Sequence, residues 1–378
     1  MSYIAGSFAT SFGKHDGRDS LDLMTEAAAG ALADAGLERG DIDGVICGYS
    51  TTMPHLMLAT VFAEHFGIRP RYAAALQLGG ATGLAMAMTA HFVIESKAAS
   101  RLLVVAGENR LSGQTRDSAI QALAQVGHPR YEVPLGTTVP AYYGLIASAY
   151  LHRRGVGEAD LAELAVVMRS HAIDSPGAHF REPITVEDVL ASRAIAEPLK
   201  LLDCCPVSDG GAAMVVTGEQ VNDHCLHVLG TGQAHHHQHI SAAPDLLAYG
   251  AGPSSRAALD EAGMPIERIR YAGVYDSFTV TLAMLLEEIG LAPAGQAGAL
   301  ARAGRFSPGG DVPLNTHGGL LSYGHCGVAG AMSHVAELHR QLTGRAGERQ
   351  IPGQPDVALL HGDGGVMSSH TSMVVAVP

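Results

Sequence analysis

A chain of 378 residues can bury a large core, and its length alone allows two or three domains of ordinary size. A formal net charge of −13 opposes phosphate backbones and excludes nucleic-acid binding as the expected function. Five cysteines, an odd number with no CxxC pair, exclude a disulfide framework and a zinc ribbon within the chain and point to a reducing cytoplasm.

The first twenty residues have no basic region followed by an apolar core, so they read as an opening strand and not as a signal peptide. An alanine-rich amphipathic helix follows, ending at Ala35-Gly36 before an acidic turn and an apolar strand (residues 27–50). The uncharged stretch Tyr72–Ile94 is long enough to suggest a membrane span. Its glycines and alanines, with Gln77, Thr82 and His91 inside, fit a buried strand, a Gly-Gly turn and a helix better, so no membrane association is expected. Leu102–Gly107 supplies the next strand.

Residues 110–200 differ in character and read as an insertion riding on the first half, with helices over 139–155 and 160–176 and a strand-rich return over 183–205. A boundary between Thr217 and Val228 divides the chain into halves at 1–222 and 223–378. The second half repeats the first. Residues 254–278 again run helix, Ala-Gly, acidic turn and strand, and residues 314–338 again set a Gly-Gly turn before a small-residue helix, with Val357–Leu360 as the strand after it. The fold class is therefore α/β and duplicated.

Fingerprints of other chemistries are missing. GxSxG, Walker A, HExxH and GxGxxG do not occur, which removes the usual support for a hydrolase, NTPase, metalloprotease or Rossmann dehydrogenase. The histidine tract at 234–240 reads as solvated or rim histidines, since ligands adjacent along a chain cannot all face one ion. No metal site is expected.

Five segments in order carry a positive signal: GGATG (79–83), LLDCCPVSDGGAAMVV (201–216), YDSF (275–278), NTHGGLLSYGHCG (315–327) and HGDGG (361–365). Together they resemble the thiolase superfamily, in particular the branch related to the thiolase domain of sterol carrier protein, often called lipid-transfer proteins. The resemblance implies a five-layered α-β-α-β-α fold of two halves whose central helices begin side by side at the active site. It also implies a coenzyme A thioester as substrate, no bound cofactor and a homodimer. In this branch a small OB-fold and zinc-ribbon partner protein is often added. CoA is polyanionic, so a local basic mouth would have to oppose the global charge, and the sequence does not place one.

Departures from the family pattern shape the expected chemistry. Gly80 stands where the family has its nucleophilic cysteine, so no acyl-enzyme can form there. His361 falls at the place of the second, acid/base cysteine, and an imidazole can move protons. Tyr275-Asp276-Ser277-Phe278 replaces the family's Asn-Glu-Ala-Phe or His-Asp-Cys-Phe, with Asp276 and Phe278 retained. Thiolase-like aldolases of steroid side-chain breakdown share the tyrosine but carry histidine where this chain has Ser277. His325 matches the histidine of the family's Gly-His-Pro, with Cys326 in place of the proline. Tyr275, His325 and His361 are the expected proton carriers, and the N–H groups around Gly80 and Gly365 the expected oxyanion donors. Cys326, beside His325 at a helix start, is the candidate displaced nucleophile. Cys204 and Cys205 are expected to pack beneath the site and Tyr323 in the core.

The favoured expectation is aldol or retro-aldol cleavage of a C–C bond next to a CoA thioester, which needs a base and enolate donors but no nucleophile. An acetyl-CoA acetyltransferase or other acyltransferase using a displaced cysteine is the second. A non-catalytic subunit binding acyl-CoA or lipid within a complex is the third.

Overall fold

Alternating apolar strands and small-residue helices fold in two successive runs, and the computed structural model describes residues 1–378. The first run is β1 (Tyr3–Ala9), α1 (Ser20–Ala35), β2 (Gly44–Gly48), α2 (Leu58–Phe66), β3 (Tyr72–Leu76), α3 (Thr82–Glu95) and β4 (Arg101–Asn109). Helices α4 (Arg116–Ala124), α5 (Val139–Arg154), α6 (Glu158–Ala172) and α7 (Val186–Ala191) follow, then a hairpin of β5 (Ala194–Ala196) and β6 (Leu199–Lys200), and β7 (Asp209–Thr217). The second run is β8 (Leu226–His235), α8 (Ala251–Ala262), β9 (Ala272–Val274), α9 (Thr279–Ile289), α10 (Ala297–Arg302), α11 (Gly319–Ser322), α12 (Val328–Leu342), β10 (Val357–Gly364) and β11 (Ser369–Ala376).

Strand order exposes the duplication. The main sheet runs β3-β2-β4-β7-β1-β8-β11-β10-β9, and outward from its β1/β8 seam the two sides match. On one side β2 pairs in parallel with β3 and β4, and β4 and β1 pair antiparallel with β7. On the other side β9 and β10 are parallel, while β10 and β8 pair antiparallel with β11. The counterpart of β3 is reduced to one parallel bridge between Ala272 and Leu314. The seam is short, with only Tyr3 opposite His227 and Ile4 opposite Leu226.

Layering follows from which helices are apolar all round. Every residue of α12 except Arg340 is buried, as befits a helix with no solvent face. It lies with α3 between the two sides of the sheet: α3 touches β2 and β4 on one side and β10 and β11 on the other, and α12 touches β1, β4 and β7 as well as β9 and β10. Gly83 lets the pair approach, since a Cβ there would stand 2.7 Å from Met332 Cγ. Helices α1 and α2 cover one outer face and α8 and α9 the other, giving the expected five layers. Inside α12, Glu337 accepts two bonds from Arg349 (2.7 and 2.9 Å), and this partner holds its carboxyl down to about 2 despite burial.

Two expectations need correction. Residues 183–205 are not strand-rich: Thr185 and Asp188 form a capping box that starts α7, and only the short β5–β6 hairpin follows. The segment 110–200 does not ride on the first run. Its α5 and α6 pack on α9, and α6 also on α10 and α11, so the apolar faces of the insertion join the core of the second run. No helix is long and apolar enough to cross a membrane, and Tyr72–Ile94 forms β3, a turn and all but the last residue of α3.

Candidate active site

The two central helices begin beside each other, and each start is fixed by its own sequence. Before α3, Gly79 adopts φ +57°, and the turn is tied by Thr82, whose hydroxyl accepts from Leu78 N–H (2.8 Å) and donates to Gly79 O (2.6 Å). Before α12, the backbone of His325 is clamped by residues 206–208: its N–H donates to Pro206 O (3.2 Å), and its carbonyl accepts from Ser208 N–H (3.0 Å). The HGDGG turn lies against the α3 turn backbone to backbone. A Cβ on Gly79 would come within 3.0 Å of Gly365 N, and one on Gly364 within 3.0 Å of the Leu78 carbonyl.

Tyr275 follows β9 and is held by its N–H donating to His361 O (3.0 Å). Its hydroxyl lies 2.9 Å from His325 Nε2, ring edge to face. The phenol also fills the space that a side chain at position 80 would need. A Cβ there would stand closer than 3.0 Å to Tyr275 Oη, to its Cζ and to the Asp363 carbonyl.

Burial sets the charge state of this pair. Desolvation pushes the Tyr275 hydroxyl well above its ordinary range, with smaller contributions from neighbouring groups that include Asp363. Desolvation, and after it the positive charge of Arg110, push His325 down to about 3. At neutral pH the pair is therefore a phenol and an uncharged imidazole.

Three side chains that sequence reasoning left without a role surround it. Asp363, 1% exposed, has its carboxyl pushed well up by burial; Oδ2 accepts from Tyr143 Oη (3.2 Å), and Oδ1 makes no hydrogen bond, with His370 Nε2 4.0 Å away. Tyr143 comes from α5 and stacks on Phe278 at 4.3 Å, which ties the inserted helices to the site. Arg110 directly follows β4, buried and without an ion-pair partner. The only advance signal for it was a run of polar residues, Glu108-Asn109-Arg110, closing an apolar strand at its carboxyl end, where α/β sheets place their sites.

The other expected residues are placed as follows. Asp276 is fully buried and accepts from the N–H groups of Leu320 (2.7 Å) and Leu321 (3.3 Å), so it anchors α11 and does not face the Tyr275–His325 pair. His361 turns along the sheet: Nδ1 lies 2.8 Å from Ser372 Oγ and Nε2 3.2 Å from His370 Nδ1, and its own carbonyl holds Tyr275. The pleat sets its ring opposite its cross-strand partner, Ser372, on the same face of β10 as Asp363. Cys326 is a core residue packed near Gly210, its thiol pushed far up by burial. Cys204 is pushed up to about 12 and Cys205 also upward, again by burial. None of these three thiols is activated. Tyr323 lies in the core and donates to Thr10 O (3.0 Å). No group of three or more His, Cys, Asp or Glu side chains is arranged to hold a metal.

A cavity of about 770 Å³ opens on the Gly79 and Gly365 turns. Leu56, Leu58, Leu76, Leu78, Leu123 and Val126 supply its apolar wall, and no lysine or arginine lines it.

Comparison with known families agrees with this architecture. A family model described as "Thiolase, N-terminal domain" matches residues 2–220, and one described as "Thiolase C-terminal domain-like" matches residues 232–377. The chain belongs to the thiolase superfamily, in its sterol-carrier-protein-like branch. It is 32% identical to the steroid side-chain-cleaving aldolase of Thermomonospora curvata, over 97% of this chain and 96% of that protein. It is 27% identical to the acetyl-CoA acetyltransferase of Methanothermobacter thermautotrophicus, over 96% of each. Among solved structures, the Ltp2-ChsH2(DUF35) aldolase superposes with a TM-score of 0.87 at 29% identity, covering 100% of this chain and 97% of that one.

Proposed function

We propose that this thiolase-superfamily chain is an aldolase-type lyase that breaks or makes the Cα–Cβ bond of a β-hydroxyacyl-CoA without an acyl-enzyme. The filled nucleophile position carries this conclusion: the Tyr275 phenol occupies the volume of any side chain at position 80, and Cys204, Cys205 and Cys326, their thiols pushed up by burial, offer no activated thiol in its stead. Similarity to the Thermomonospora curvata aldolase and to the Ltp2-ChsH2(DUF35) aldolase supports it.

In the cleavage direction the Tyr275–His325 pair takes the proton of the β-hydroxyl, and the O–H electrons form a carbonyl. The Cα–Cβ bond breaks, and its electron pair passes into the thioester as an enolate. The proton then returns to Cα, leaving a shortened acyl-CoA and a ketone or aldehyde. The N–H groups of Gly80 and Gly365, which donate to no protein acceptor, are the oxyanion donors. His361 and Asp276 act by holding main chain at the site, and Cys326 only packs. The cavity lies within the size range of small-molecule sites, and its uncharged wall suits a bulky apolar acyl part.

Two features support partners. Edge strand β3 exposes Ala73 and Ala75 and carries no charge to discourage pairing, which fits a homodimer joined there. The missing cations at the cavity fit a small partner protein that supplies the grip on CoA, the solved aldolase being a complex with a DUF35 protein. Incubation with β-hydroxyacyl-CoA esters bearing a bulky apolar β-substituent should release the ketone and the shortened acyl-CoA. Thiolysis of a β-ketoacyl-CoA by free CoA, or tight binding without turnover of either ester, would overturn the assignment.

A further inference from the structure

Arg110 is 8% exposed, and a buried guanidinium is normally surrounded by carboxylates or carbonyls because an unpaired buried charge is costly. Here it has neither. Its Nε is closed from solvent without a hydrogen-bond partner, and no carboxylate stands at ion-pair distance. Glu108, two residues back along the chain, is already engaged by the Thr51 N–H and hydroxyl and by Ser50. The backbone beyond Arg110 is fixed, because the N–H groups of Leu111 (2.6 Å) and Ser112 (3.1 Å) donate to Asp209 Oδ1. Asp209 directly follows Ser208, whose N–H donates to the His325 carbonyl, so this anchored main chain holds an unmatched cation beside the segment that clamps His325, and its charge is felt at His325 and Tyr275. The phosphates of CoA lie at the far end of the pantetheine arm from the thioester, so they are the wrong anion for a side chain this deep.

We propose that Arg110 is the cation that receives the thioester enolate oxygen, and that the substrates are esters whose reaction passes through an enolate seated against it. The proposal rests on the aldol reading above and completes its charge balance. Before reaction the Tyr275–His325 pair is neutral. When the β-hydroxyl proton moves to the pair and the Cα–Cβ electrons move to the thioester, the new negative charge lies on the enolate oxygen and meets the guanidinium. The same positive charge opposes a lasting imidazolium at His325, so the proton is driven on to Cα and the cycle closes with the pair neutral again.

The test uses the full chain and acetoacetyl-CoA, whose enolate has its own ultraviolet band. At a pH where the free ester is un-ionised, the unmodified protein should raise the enolate band on binding. Arg110→Met should lose the band, and Arg110→Lys should keep part of it. On a cleavable β-hydroxyacyl-CoA, Arg110→Met should lower kcat by about 10² to 10³ with little change in KM. Its Tm should be unchanged or higher, because an unpaired buried charge has been removed. An enolate band retained in Arg110→Met, or a band lost together with a lowered Tm in both variants, would overturn the proposal while leaving the aldol reading intact. Absence of both cleavage and enolate band in the unmodified protein would remove the two together.

Discussion

At the start of α3 the chain presents Gly79, Gly80 and Ala81, with nothing larger than a methyl group; at the start of α12 it presents His325, Cys326 and Gly327. The two helices occupy equivalent places in a duplicated fold, packed together between the same two sides of the sheet. The first start offers backbone N–H groups and room. The second offers an imidazole locked by the 206–208 segment and bonded to a phenol. Where a thiolase has a nucleophile on its first central helix, this chain has none, and Tyr275 from the second run stands in that volume. At the two helix starts, side-chain chemistry has gathered in one repeat, and the start in the other offers only the electrostatics of its backbone.

Removing the second repeat's groups should have the largest effect. Tyr275→Phe keeps the ring and its packing but loses the hydroxyl, and kcat should fall by about 10² to 10⁴ with the fold retained. His325→Ala should cost about 10² to 10³ under saturating ester. Steady-state kinetics of both would break the comparison if either variant kept full activity.

Acid should sharpen it next, because buried imidazoles are concentrated in the second run. His325 is held near 3 and His370 near 4, and His171, which belongs to the insertion packed on that run, is also near 4, all by burial. An unfolded histidine protonates near 6.5, so below that pH the unfolded chain binds protons that the folded chain refuses. The stability contribution of these groups is complete above about 6.5 and is lost as pH falls toward 4. Each adds a slope of about 1.4 kcal/mol per pH unit. Asp203, Glu287, Glu288 and Asp363, their carboxyls raised by burial, act with the opposite sign but are outnumbered by the ten histidines that burial lowers. Urea midpoints between pH 7 and 5 that do not decline would contradict the burial of these rings.

The smallest effect probes the emptied start. Gly80→Cys restores the family's residue but collides with Tyr275 Oη and Cζ, and should cost about 1–3 kcal/mol of stability. Adding Tyr275→Ala removes the phenol's share of the clash and leaves that of the Asp363 carbonyl, so the double variant should still be more stable than the sum of the two single changes. A strictly additive denaturation cycle would mean that the phenol does not compete for the position.

What the sequence disclosed, and what it hid, follows from the scale of each interaction. The repeated helix, Ala-Gly and strand made the α/β halves readable twice over, and His325 and Tyr275 could be picked out because each sits in a short motif of the family. Helix α7 was missed because Val186, Val189 and neighbouring strand-like residues outweighed the Thr185 and Asp188 cap, a local bond that overrides propensity. The packing of α5 and α6 was hidden because an apolar face does not say which surface it will meet. His361 was found at the right place, but the pleat of β10 and the hydroxyl of Ser372 decide where its ring points. Arg110 and Asp363 carry meaning through buried polar atoms left without a hydrogen bond, the guanidinium Nε and the carboxyl Oδ1, which no spacing along the chain can reveal.

The central claim, carbon–carbon cleavage without an acyl-enzyme, is tested most directly by intact-protein mass spectrometry during turnover of a β-hydroxyacyl-CoA. While ketone and shortened acyl-CoA accumulate, the chain should keep its unmodified mass at every time point, in the native protein and in Cys326→Ala alike. An acyl adduct that forms and decays at the rate of product release, and that vanishes in Cys326→Ala together with activity, would contradict it.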